Sequence, residues 1–180
     1  AYTRSKINFA TVWLDGCSGC HMSFLDLDDG LLALADKIDL VYSPLVDMKE
    51  FPPDVDVTLV EGAVSSEEDL EKIQRIRGRT KILISLGDCA VTGNVPSMRN
   101  LFGVQPILER AYLENVTVNP QIPTRVIPKL LARVLPVHEV VKVDVFVPGC
   151  PPPAKAIGYV LTELLEGRQP DANVMSRFGA

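Results

Sequence analysis

Four cysteines occur in this 180-residue chain, and two of them, Cys17 and Cys20, sit together in the stretch LDGCSGCHM (14–22). Cys89 and Cys150 stand alone, far along the chain. Thiolates are soft metal ligands and redox groups, so their placement is informative. Cys17 lies three residues beyond an apolar run ending at Leu14, Cys89 three beyond Leu86, and Cys150 three beyond Val147. If these runs are parallel strands, their carboxyl ends share one edge, and the distant cysteines converge where open α/β sheets bind ligands. Three chemistries fit such a set. Tetrahedral zinc takes four thiolates, but structural sites usually pair two CxxC knuckles. A dithiol redox pair at Cys17 and Cys20 leaves Cys89 and Cys150 without a task. An iron–sulfur cluster accepts four thiolates at irregular spacing, and its last ligand is often followed by proline, as in GCPPP (149–153). The small residues beside the sulfurs, Gly16, Ser18, Gly19, Gly87 and Gly149, would let backbone approach a bulky inorganic core. Glycine is also common in any strand-to-helix turn.

The composition sets the frame. Hydrophobic residues make up 47% and charged residues 23%, enough apolar material for a core without disulfide staples. A net charge of -5 and the lack of any Lys/Arg cluster argue against nucleic acid as a partner. The apolar runs fall short of the roughly 20 residues that span a bilayer, so no membrane span is expected. The opening AYTRSKINFATVWLD lacks the apolar stretch and cleavage site of a signal peptide. A cytoplasmic location, where thiols stay reduced, is the expectation.

The elements that would position the cysteines follow from periodicity. Strands are expected at INFATVWL (8–14 and its lead-in), DLVYSPL (39–45), DVTLVEG (56–62), KILISLG (81–87) and KVDVFVPG (142–149). These runs are continuous rather than alternating, which suits a parallel sheet buried on both faces. Helices are expected at 22–37, with Gly30 weakening its middle, at 65–78 with Ser65 or Ser66 as N-cap, and at 151–167 behind three prolines. The alternation predicts an α/β fold with a doubly wound, mostly parallel, flavodoxin-like sheet. One domain is expected over 1–180, with its core at about 7–167 and a C-terminal extension at 168–180. Most of the 14 prolines fall between 96 and 153. The stretch 93–138 therefore reads as long ordered loops with short helices at 106–114 and 128–134, and loops of that length are usually functional or partner-bound. Pro120, Pro123 and Pro128 suggest a rigid surface for a partner.

Four motifs in order, CSGCHMSFL, LVEGAV, GDCAVTGNVP and VPGCPPPAKAIGYVL, resemble the small subunit of [NiFe] hydrogenases. In length the chain resembles the cytoplasmic NAD-reducing type. The resemblance runs from about Ile7 to Gly167. The complex I subunit that holds the terminal cluster is a cousin, but its first motif has two adjacent cysteines, whereas Cys17 and Cys20 are separated. The resemblance implies one proximal [4Fe–4S] cluster on Cys17, Cys20, Cys89 and Cys150. It also implies a large partner subunit carrying the Ni–Fe centre, where H₂ chemistry would take place, and diaphorase subunits with iron–sulfur clusters, FMN and NAD. Larger members carry a second domain with further clusters, for which this chain has no cysteines. They also commonly have Glu before the first cysteine, where this chain has Gly16. An FMN on this chain is a lesser alternative, because Cys17 and Cys20 occupy the loop where phosphate donors would lie.

Other residues near the motifs carry two readings each. Glu61, in LVEGAV, is the nearest match to a family acid and is expected near the partner interface. His21 is expected to be a partly exposed helix-start residue, with a hydrogen bond to the cluster as the alternative. Trp13 either shields the cluster or packs in the core. Asp88 caps its loop or meets the partner. Arg99 offsets cluster charge, contacts the partner or is solvated. His138 receives no role.

Overall fold

The structure, a computed structural model, describes residues 6–171. The elements in chain order are β1 (Ile7–Trp13), α1 (Gly19–Leu25), α2 (Asp29–Ala35), β2 (Ile38–Tyr42), β3 (Val55–Glu61), β4 (Val64–Ser66), α3 (Glu67–Arg77), β5 (Thr80–Leu86), α4 (Gly87–Thr92), α5 (Asn94–Ser97), α6 (Val104–Glu109), β6 (Leu130–Leu135), β7 (Val145–Val147) and α7 (Ala154–Leu165). Single 3₁₀ turns follow α5 and β6, and a wider turn, Arg110–Glu114, extends α6. Five parallel strands pair in the order β2-β1-β3-β5-β7. Strand order and helices on both faces make this the flavodoxin-like, doubly wound arrangement.

The central strands β1, β3 and β5 bury side chains on both faces, which is why their runs are apolar throughout. On one face Phe9, Leu59, Ile84 and Val147 pack against Phe24 of α1, Leu34 of α2 and Ile157 and Leu161 of α7. On the other, Ala10, Val12, Val60 and Leu83 meet Ile73 and Ile76 of α3 and Ala90 of α4. The start of α3 is set by a capping box: the Ser66 hydroxyl accepts from Asp69 N at 3.1 Å, and the Asp69 carboxylate accepts from Ser66 N at 3.0 Å. Among the described residues, no helix is long and apolar enough to cross a membrane.

Two expectations need correction. The helix anticipated over 22–37 is two short helices. The break falls at 26–28 rather than at Gly30, with Asp28 at φ 49°. The run Asp26, Asp28, Asp29 favours turn and cap geometry over helix interior. The break also seats Leu27 against α7, where its Cδ2 lies 2.8 Å from where a Cβ on Gly158 would be. The helix expected at 128–134 is instead strand β6, antiparallel to β4, with Val64 opposite Leu135 and Ser66 opposite Leu130. Its other edge is held by side chains. Arg99 Nη1 donates to Leu131 O at 3.0 Å, and the Asn100 amide bonds both N and O of Val134 at 2.8 and 2.9 Å. The helix at 106–114 is present, beginning two residues earlier at Val104. The extension anticipated at 168–180 lies, beyond residue 171, outside the described residues.

Candidate metal centre at the carboxyl rim

Strand register decides where the cysteines lie. Trp13 is paired with Glu61, Glu61 with Leu86, and Leu86 with Val147, so β1, β3, β5 and β7 all end in one row. The loops leaving that row carry Cys17 and Cys20 after β1, Cys89 at the start of α4, and Cys150 before α7. The loops are also tied to each other. Asp15 and Ala63 exchange backbone hydrogen bonds at 3.1 and 2.7 Å, closing the β1 loop against the β3 loop. Asp88 N donates to Gly149 O at 2.9 Å, and Gly149 N to Asp88 Oδ1 at 2.7 Å, which joins the Cys89 and Cys150 loops. Ser23 Oγ donates to Pro152 O at 2.5 Å and fixes α1 to the GCPPP segment.

Cys20 is buried, Cys89 is half-buried, and Cys17 and Cys150 are exposed. A Cβ placed on Gly87, whose φ is +81°, would lie 2.2 Å from Cys20 Sγ. Only glycine leaves room there for the sulfur to sit against the β5–α4 corner. Burial pushes the Cys20 thiol well above its ordinary pKa, and the charges of Glu61, Cys89, Cys17 and Cys150 push it further. Burial, then Cys150, Cys17 and Glu61, push Cys89 up to about 11, while a backbone hydrogen bond from Val95 opposes the rise. Cys20 and Cys89 thus each lie within electrostatic reach of Cys17 and Cys150, and no basic side chain is among the charges acting on these two. Such a set is uncomfortable as free thiolates and suited to a cationic inorganic partner. Among the described residues, no three His, Cys, Asp or Glu side chains close on a point that would hold a single metal ion.

The neighbouring residues fall differently from several expectations. Glu61 is not at a surface; it is 1% exposed and sits between the cysteine loops at the end of β3. Its carboxylate accepts from Cys20 N at 3.4 Å and His21 N at 2.9 Å, and from the His21 Nδ1 ring nitrogen. His21 is buried, not partly exposed, and among the described residues its Nε2 has no hydrogen-bond partner. A buried carboxylate must be saturated with donors, and the backbone and side chain of the CxxC loop supply them. Trp13 is 43% exposed rather than packed in the core. Arg99 is half-buried; it bonds Leu131 O and Ser65 O and holds β6 to the Ser65 segment. Asp88 accepts from Gly149 N and so caps the neighbouring Cys150 loop rather than its own. His138 stacks edge-on against Phe146 with ring centroids 5.7 Å apart. Sequence reasoning missed Ser23 and Asn94. Asn94 Nδ2 lies 3.5 Å from Cys150 Sγ, and the Gly93-Asn94 dipeptide, a left-handed turn signal, was the available clue.

The fold and the rim define the class: a flavodoxin-like α/β domain with four cysteines and a buried acid gathered at the carboxyl ends of its strands. Residues 17–164 match the family described as NADH ubiquinone oxidoreductase, 20 Kd subunit. The chain belongs to that family, on its hydrogenase side. It is 46% identical over 173 residues to the NAD-reducing hydrogenase HoxS subunit delta of Cupriavidus necator, covering 93% of this chain and 83% of that one. It is 40% identical over 166 residues to a subunit of the F420-non-reducing hydrogenase of Methanocaldococcus jannaschii; there the match covers 91% of this chain but spans only 58% of the relative. Among solved structures it is similar to a chain of an NAD+-reducing [NiFe]-hydrogenase in the H2-reduced state. That match has a TM-score of 0.91 and 40% identity, and covers 96% of this chain and 99% of the other.

Proposed function

We propose that this chain is the electron-transfer subunit of a cytoplasmic NAD-reducing [NiFe] hydrogenase, with one [4Fe–4S] cluster held by Cys17, Cys20, Cys89 and Cys150. The observation that carries the reading is the common row of strand ends, which brings the loops of all four cysteines to one rim. The residues fit the group. Cys20 and Cys89 each feel the charges of the other cysteines and of Glu61, with no basic side chain among the charges acting on them, and the Gly87 corner leaves room beside Cys20 Sγ. A cluster bound there would supply one-electron storage. The chain's own part is to hold the ligands, through Glu61 beneath the CxxC loop, the Asp88–Gly149 pair between the lone cysteines, and the space left at Gly87.

The similar proteins and the surface support the same set of partners. Around the rim, Trp13, Met22, Val95 and Met98 are exposed, an apolar border that a large Ni–Fe subunit would cover. H₂ cleavage would belong to that subunit, and NAD reduction to a diaphorase module. A second reading, a quinone-side subunit like that of complex I, is favoured by the family's description. Iron and acid-labile sulfide near four each per chain, with a visible band bleached by dithionite, are the result expected of both. Stoichiometric zinc without iron would eliminate both. Nickel in the purified assembly, with H₂-dependent NAD reduction, selects the first. Cys89→Ala is expected to remove a ligand and uncouple H₂ oxidation from NAD reduction. An unchanged coupled rate sinks the ligand assignment.

A further inference from the structure

Gly93 and Asn94 both have positive φ, 84° and 29°. Successive residues of this kind turn α4 abruptly into α5 and can bring N–H groups to one side of the backbone. Here the turn presents two donors to two different cysteines. Asn94 Nδ2 donates to Cys150 Sγ at 3.5 Å, and the backbone of Val95 bonds the Cys89 sulfur.

We propose that Asn94 is a positioning residue which, through its amide N–H on the Cys150 sulfur, raises the reduction potential of the cluster at this rim. The proposal rests on the cluster reading above. A reduced cluster carries one more negative charge than the oxidised one, and part of it resides on the ligand sulfurs. An N–H dipole aimed at a sulfur therefore stabilises the reduced state more than the oxidised state. Cys150 is exposed, so water can make the same bond in the free chain. A partner that covers the rim removes that water, but the Asn94 amide stays, because it is anchored in the chain's own turn. Glu61 acts in the opposite direction, since its carboxylate opposes added negative charge on Cys20 and Cys89. The amide donors, Asn94 on Cys150 and Val95 on Cys89, oppose it.

Asparagine also tolerates positive φ better than most residues, so a purely conformational role would explain its presence. The variants are chosen to separate the two. Asn94→Gly keeps the left-handed turn and removes the amide. Asn94→Asp keeps size and turn preference but replaces the donor with an acceptor. The full chain, purified anaerobically with its partner subunits, is titrated electrochemically while its cluster is followed by EPR. The expected result is a midpoint potential lowered in Asn94→Gly and lowered further in Asn94→Asp, with iron and sulfide contents at wild-type levels. A midpoint equal to wild type in both variants overturns the proposal and leaves the cluster reading standing. Should either variant lose its cluster, the wild-type protein decides. Labelling with ¹⁵N-asparagine is expected to give a ¹⁵N coupling to the reduced cluster, and its absence overturns the proposal. A wild-type chain without iron overturns the cluster reading and this inference together.

Discussion

Single atoms decide whether the rim can hold its sulfurs. Gly87 is the clearest case, because the space a Cβ would take is already filled by Cys20 Sγ at 2.2 Å. Gly87→Ala also forces a side chain into left-handed backbone, a cost of about 1–2 kcal/mol before any clash. The expected outcome is a chain that keeps its far-ultraviolet circular dichroism but binds markedly less iron. Wild-type iron content in that variant would show that the sulfur does not need this space. Glu61 and His21 work at the same scale. Their buried pairing beneath the CxxC loop leaves His21 Nε2 enclosed and, among the described residues, unpartnered, the kind of polar atom that a native site normally accounts for.

Elements carry the site only if they begin and end in the right place. The capping box at Ser66 starts α3 directly after β4, so that Ile73 and Ile76 face the sheet. Ser66→Ala is expected to cost about 1 kcal/mol, read as a lowered urea midpoint at unchanged slope. A midpoint equal to wild type would mean that the β4–β6 pairing alone fixes the helix start. The β6 strand makes a complementary point. Its residues have no strong strand signature, and its conformation comes from partners distant in sequence, namely β4 on one edge and Arg99 and Asn100 on the other.

At the scale of the whole molecule, two surfaces bear on assembly and stability. Met98 and Leu101 are 64% and 85% exposed near the cysteine rim. Met98→Asp with Leu101→Asp is expected to reduce co-purification of the large subunit severalfold while leaving the melting temperature near wild type. Retention of the large subunit at wild-type levels would move the interface elsewhere. At the opposite end of the sheet, Asp144 joins three elements: it accepts from Leu83 N at 2.9 Å and from Arg77 Nη1 at 2.6 Å. Burial raises its pKa, but the Leu83 hydrogen bond and Arg77 outweigh that and hold the carboxyl below its ordinary value. A carboxylate with a depressed folded pKa contributes stability above its unfolded pKa of about 4 and loses it as pH falls through the lower folded value. Asp144→Asn is therefore expected to destabilise the chain at neutral pH, with the difference from wild type shrinking below about pH 4. A difference independent of pH would assign the effect to packing.

Much of the architecture was legible because it is written in local chemistry. Continuous apolar runs ending in glycine or proline announced buried parallel strands. The serine, acid and base pattern announced α3, and the cysteines' common offset from strand ends announced the rim. What only the tertiary structure decided depends on residues far apart in the chain. The row joining Trp13, Glu61, Leu86 and Val147 is a matter of strand register, and it showed that Glu61, expected only near the partner interface, is buried between the cysteine loops. The strand at Leu130–Leu135, the structural tasks of Arg99 and Asn100, and the approach of Asn94 to Cys150 were settled by neighbours that no local pattern names. The physical reason is common to all of them. Periodicity reports which side of an element is apolar, whereas a buried polar group takes its partner from whatever donor or acceptor the packed fold brings within about 3 Å.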